Sequence, residues 1–182
     1  MHRILPRDPL ASPSRLLLAA ALALSSIAAA PASALEAKLA DPAWDGVKVP
    51  AGQQCQKFGG QGKSPALTVT GIPSGASHLI LEFSDRTYKP MDNGGHGKVA
   101  YALQPGATEV TVPPVPGHTL DLPAGFTLVK EHQAPTWDKA GAYLPPCSGG
   151  QGNSYYVTVK AVHKMGDETH ELANTTVELG KY

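Results

Sequence analysis

Excess charge of either sign is missing from this chain of 182 residues: 15 Lys+Arg stand against 15 Asp+Glu, and only 16% of residues are charged. With no Lys/Arg-rich run to neutralise a phosphate backbone, nucleic acid is not an expected partner. Cysteine is nearly absent. Cys55 and Cys147 lie too far apart for a Cys-x-x-Cys redox motif, and the chain has neither a Gly-x-Ser-x-Gly elbow nor a His-Glu-x-x-His pair. Gly62-Lys63-Ser64 imitates the end of a phosphate-cradling loop. However, Lys57 stands where that loop needs its first glycine, and Pro65 opens an extended run where a helix should start. No nucleophile–base pair can be named, so an enzyme is not expected, and neither is a cofactor. Two sets carry metal-ligand side chains: His163, Asp167 and His170, and Met91, Asp92 and His96. A turn between two strands with solvent-facing histidines accounts for the first, and a solvent-exposed Gly-rich loop accounts for Met91 and Asp92, so no metal is expected.

Long apolar runs are also missing, with one exception near the start. Arg3, Arg7 and Arg15 lead into an apolar stretch from Leu16 to Ala30, followed by Pro31-Ala32-Ser33-Ala34. This is the pattern of a secretory signal peptide over residues 1–34, cut after an Ala-x-Ala site. The alternative is an uncleaved anchor helix, but about 15 residues fall short of the roughly 20 that span a bilayer. The expectation is a periplasmic or secreted domain over residues 35–182, with no stable membrane insertion after cleavage. In an oxidising compartment an even cysteine count favours a disulfide. Joining Cys55 to Cys147 would close a loop of about 92 residues, stabilising the fold by roughly 4–5 kcal/mol through chain entropy. Free thiols acting as nucleophile or metal ligands are the alternative.

Turn-forming residues are plentiful: 19 Gly and 17 Pro are spread among short apolar alternations. Residues 66–70, 78–83, 98–103, 108–112, 127–130, 155–162 and 175–179 read as strands, and the segment before residue 63 as an irregular arm with one short strand. No segment sustains the 3.6-residue period of an amphipathic helix. The predicted fold class is all-β, an antiparallel β-sandwich with Pro/Gly-rich loops and little helix.

Several spaced motifs taken in order resemble the phosphatidylethanolamine-binding protein family, in its bacterial Raf-kinase-inhibitor-like branch. They are Cys55 with Ser64-Pro65-Ala66-Leu67 and Gly71-Ile72-Pro73-Ser74-Gly75; the strand His78 to Asp85; His96-Gly97-Lys98-Val99; Pro145-Pro146-Cys147 with Gly149-Gly150; and the tail Leu179-Gly180-Lys181-Tyr182. The resemblance implies a β-sandwich with a small anion pocket. Carried over by position, Asp85 and His96 are its polar groups, Pro146, Cys147 and Gly149 its loop wall, and Tyr155 its aromatic edge. It also puts both cysteines at the pocket mouth. A carboxylate beside His96 would raise the imidazole pKa and fix its tautomer. Departures weaken the pattern. Arg86-Thr87 replaces the Pro-Asp that follows the first Asp in the family, and the second pocket histidine is Asn153. The expected ligand is a small anion or phospholipid head group, bound weakly, with Arg86 or Lys98 supplying the missing charge. The other expectation is a protein partner, held through Pro113 to Pro116 or Pro145-Pro146.

Overall fold

Strict alternation of apolar and polar side chains explains most of the extended structure, because successive residues of a strand face opposite sides of the sheet. The computed structural model describes residue 1, residues 34–166 and residues 168–182. The signal-peptide reading and Asp167 lie outside the described residues. The strands are β1 (Glu36–Leu39), β2 (Leu67–Thr70), β3 (His78–Asp85), β4 (Lys98–Ala102), β5 (Glu109–Val112), β6 (Phe126–Lys130), β7 (Ser154–Met165) and β8 (Glu168–Lys181). Helix is confined, among the described residues, to two single 3-10 turns, Gln56–Phe58 and Lys89–Met91.

All pairings between these strands are antiparallel, as expected of an all-β sandwich. One sheet runs β1-β2-β5 and the other β6-β4-β3-β7-β8. Leu67 and Val69 of β2 share one buried cluster with Leu79, Leu81 and Phe83 of β3 and Val157 and Val159 of β7. Register sets Leu81 opposite Val159 and Phe83 opposite Val157, so the inner faces of the two central strands form matched pairs. Full burial of each such side chain contributes about 1.5–3 kcal/mol.

The last strand is longer than its apolar pattern predicts, beginning at Glu168 and not at Thr175. Its first half is exposed and polar, so burial leaves no alternation to read there. Backbone pairing with β7, from Met165 opposite Glu168 onward, is what extends it. Described members of both metal-ligand sets have other partners: His170 pairs with Glu168, and Asp92 accepts from the Tyr156 hydroxyl. His163 is held by its Nδ1 to the Gly75 carbonyl at 2.7 Å. Met91 is not solvent-exposed as its Gly-rich surroundings suggest; it packs in a buried cluster with Cys55, Ala134 and Leu144.

Tyr143 tests the core. Its ring lies 4.4 Å from that of Phe83, and its hydroxyl has no hydrogen-bond partner among the described residues. Burial drives its pKa far above the usual phenol value. An orphaned buried hydroxyl destabilises the fold. Tyr143→Phe is therefore expected to raise the denaturant midpoint by an amount worth about 1 kcal/mol, whereas a clear loss would show that the hydroxyl is bonded.

Candidate functional site

The alternation that builds the core also builds a site at its end. Asp85 is the last residue of β3 and continues the face of Leu79, Leu81 and Phe83; its cross-strand partner is Tyr155 at the start of β7. Beyond Phe83 the inner face therefore changes from apolar packing to a carboxylate and a phenol side by side. Asp85 is buried, and its oxygens are engaged. Oδ1 accepts from the backbone N–H groups of Thr87 at 2.8 Å and Tyr88 at 3.1 Å, closing an Asx-type turn. Oδ2 accepts from Asn153 Nδ2 at 2.6 Å.

His96 reaches this strand end through a close backbone approach. Gly97 has φ +112°, and a Cβ there would sit 2.0 Å from the Ala142 carbonyl oxygen. Without that Cβ, the segment after Ala142 lies against His96: the Leu144 N–H donates to the His96 carbonyl at 2.9 Å, and His96 Nδ1 lies 2.7 Å from the Leu144 carbonyl. A carbonyl only accepts, so Nδ1 carries the proton and Nε2 is left with its lone pair. The ring meets Tyr155 edge-on, with centroids 5.3 Å apart. Burial pushes the His96 pKa down to about 4, outweighing the Leu144 carbonyl and the Asp85 charge, which both act upward. The expectation of a carboxylate-raised, carboxylate-oriented imidazole is thus corrected on both counts: desolvation wins, and a backbone carbonyl selects the tautomer. Burial likewise lifts the Tyr155 pKa to about 12, so the phenol stays protonated; its oxygen accepts from the Cys147 N–H at 3.1 Å.

Gly97→Ala is expected to destabilise the fold by about 3 kcal/mol or more, combining an unfavourable φ with a backbone clash. The His96 ring NMR signals should move with it. A variant with unchanged stability and unchanged imidazole shifts would contradict this account of how the ring is held.

The floor residues Asp85, His96, Asn153 and Tyr155 open onto a cavity of about 340 Å³. Cys147 stands in its wall and is bonded to Cys55, with Cα atoms 5.2 Å apart across 92 residues of sequence. At the mouth are Phe58, Tyr88 and Trp137, each about two-fifths exposed, together with Lys57. The Tyr88 and Trp137 rings lie 5.4 Å apart.

No family model matches this chain, and no curated protein matches it significantly by sequence. Solved structures do match. A crystal structure described as a homologue of phosphatidylethanolamine-binding protein (PEBP), CT736 from Chlamydia trachomatis D/UW-3/CX, is 21% identical with a TM-score of 0.53, covering 82% of this chain and 97% of its own. E. coli YbcL, described as a new member of the mammalian PEBP family, is 18% identical with a TM-score of 0.52, covering 82% of this chain and 98% of its own. The chain has the PEBP fold. At these identities the likeness is one of architecture, and it bears out at that level the resemblance read from the motifs.

Within this PEBP-like domain the residues expected at the pocket divide. Asp85, His96, Cys147, Asn153 and Tyr155 line the cavity. Pro146 lies behind it, against a narrow apolar gap shared with Phe83 and Leu179. Gly149 is not among the lining residues; a Cβ there would come within 2.9 Å of the Phe58 ring, so its bareness makes room for that aromatic. Neither suggested replacement cation serves the cavity. Arg86 pairs with Glu178 and stacks on Tyr156 at 4.2 Å, and Lys98 Nζ is bound to Glu82 at 2.8 Å. The basic side chain at the cavity, among the described residues, is Lys57. It was missed, with Phe58, Tyr88 and Trp137, because all four lie in irregular segments without a period. The one available signal was that Lys57 and Phe58 follow Cys55 and so travel with the disulfide.

Proposed function

We propose that this chain is an exported, non-enzymatic binding protein of the PEBP family whose cavity holds a small polar ligand of head-group size. The observation that carries the reading is the meeting of Asp85, His96, Asn153 and Tyr155 around one open cavity at the ends of β3 and β7. Lys57 at the mouth is the group that would receive an anionic portion of such a ligand. Export is supported by the Arg-flanked apolar run and Ala-x-Ala sequence of residues 1–34 and by a disulfide, which persists in oxidising compartments. No helix of the described residues is long and apolar enough to cross a membrane. Binding without chemistry is supported by His96 Nδ1 being held by a backbone carbonyl and by both cysteines being oxidised.

Melting curves of the purified chain across phosphate, acetate and head-group analogues test this. A ligand at 100 times its Kd stabilises by about 2.7 kcal/mol, and His96→Ala is expected to abolish that shift. An unshifted melting temperature across the whole panel would overturn the reading. The alternative, a partner-binding protein using its Pro-rich loops, has less support, since Pro145 and Pro146 are buried and Pro113 and Pro114 half-buried. Capture of a protein partner unaffected by substitutions at Asp85 and His96 would favour it.

A further inference from the structure

A second cluster of ligating side chains gathers at the disulfide, apart from the four cavity-floor groups. Both sulfur atoms of the Cys55–Cys147 bridge and a carboxylate oxygen of Asp138 lie within 4.8 Å of one another. His118 extends the set: its Nε2 is 2.9 Å from Asp138 Oδ2, and both side chains are almost wholly buried. The turn that carries Cys55 closes over this pair. The Gln56 N–H donates to His118 Nε2 at 3.1 Å, and the Lys57 N–H donates to Asp138 Oδ2 at 3.5 Å. A ring nitrogen has one in-plane site, filled by a proton or by a lone pair. While Nε2 accepts from Gln56 it has no proton for Asp138, so a lone pair and a carboxylate oxygen face each other in a buried place, an arrangement that a cation between them resolves. His118 is also held at φ +63°, a backbone conformation that a residue with a side chain keeps only where its surroundings over-determine it. Cys55 is fully buried, whereas Cys147 is half-buried and stands in the cavity wall, which gives a route in from solvent.

We propose that Cys55, Cys147, Asp138 and His118 form a zinc site that the disulfide keeps closed and reduction opens. Two thiolates, an imidazole and a carboxylate make a four-ligand set of the kind that tetrahedral zinc takes. The bridge opens by exchange with a dithiol: the dithiol's two sulfurs join as a disulfide, the Cys55–Cys147 bond breaks, and two electrons and two protons pass to the cysteines, which become thiols. Zinc then displaces those two protons to solvent and bonds both sulfurs, Asp138 and His118 Nε2, the imidazole keeping its single proton on Nδ1. A metal that binds only the reduced chain stabilises that form, so the site couples thiol state to zinc: the ion holds the bridge open, and oxidation expels it.

Reducing the purified full chain with dithiothreitol, desalting it under nitrogen and titrating it with cobalt(II) and then zinc decides it. The reduced chain is expected to bind a single cobalt ion, with the thiolate-to-metal charge transfer and visible bands of a tetrahedral site, and zinc is expected to displace that ion. Zinc at about 100 times its Kd should raise the melting temperature of the reduced chain by about 5–10 °C and leave the oxidised chain unmoved. Asp138→Asn and His118→Ala, each reduced, are expected to weaken zinc binding at least about tenfold. Their melting curves report whether each variant folds, and Asp138→Asn, which keeps the side chain's shape, decides the matter if His118→Ala does not fold. Replacing both cysteines with serine should abolish the cobalt charge-transfer band. Metal binding of equal strength by the oxidised chain would place the ion elsewhere and overturn the proposal. Undiminished affinity in Asp138→Asn would mean that the two thiolates bind alone, with the same consequence. A reduced chain with its thiols confirmed free that takes up neither ion would also overturn it.

Discussion

Removing the Cys55–Cys147 bridge, by reduction or by replacing both cysteines with serine, is expected to lower the melting temperature by roughly 10–20 °C. The bond joins residues 92 apart, and a loop of that size stabilises by roughly 4–5 kcal/mol, each kcal/mol moving the midpoint of a domain this long by about 2–4 °C. The local effect should match the global one. Cys55 is fully buried, and its carbonyl accepts from the N–H groups of Phe58 and Gly60 at 3.1 and 3.0 Å, so the turn bearing Lys57 and Phe58 hangs from this residue. Its own N–H donates to the Pro146 carbonyl at 3.0 Å. Loss of the bridge should therefore also weaken ligand binding at the cavity mouth. A double variant melting within about 2 °C of the parent protein would show that the cross-link contributes little.

Acidification from pH 6.5 to 4 is expected to cost up to about 3 kcal/mol through His96 alone. The ordinary imidazole value of 6.5 is pushed down to about 4 in the folded chain, mainly by burial. Below 6.5 the unfolded chain takes up a proton that the native chain refuses, so stability falls with pH across that window and levels off below 4. Burial also lowers the pKa of His78 and His118, which act with the same sign. Carboxylates held low, such as Glu171 beside Asn174 and Lys160, lose their contribution only further down. Denaturant midpoints at several pH values check this, and His96→Gln should flatten the slope between pH 6.5 and 4. An unchanged slope in that variant would mean that His96 is charged in the folded protein.

The parts of the fold that could be read from residue order are those governed by local rules. Leu79-Ile80-Leu81-Glu82-Phe83 and Tyr155 to Val162 alternate, and alternation becomes a strand with one buried face. The first half of β8 could not be read this way, because hydrogen bonding to a neighbouring strand leaves no mark on residue type when both faces meet water. The candidate site was legible where it lies on strands or beside them: Asp85 and Tyr155 close an alternating run, and His96 opens the next one. The aromatic mouth was not, because Phe58, Tyr88 and Trp137 come from three loops that converge only once the two sheets are packed and the disulfide has tied down the first.

Residue order alone determined an all-β chain with Gly and Pro at its turns, a cysteine pair able to cross-link it, and a carboxylate, an imidazole and a phenol near strand ends. What those three groups are chemically was decided by the tertiary structure. Burial makes the imidazole neutral, and the Leu144 carbonyl, brought close because Gly97 lacks a Cβ, fixes its proton on Nδ1 and leaves the lone pair on Nε2. The reason is general: strand pattern depends on neighbours in sequence, whereas the proton on a side chain depends on which distant atoms exclude water from it.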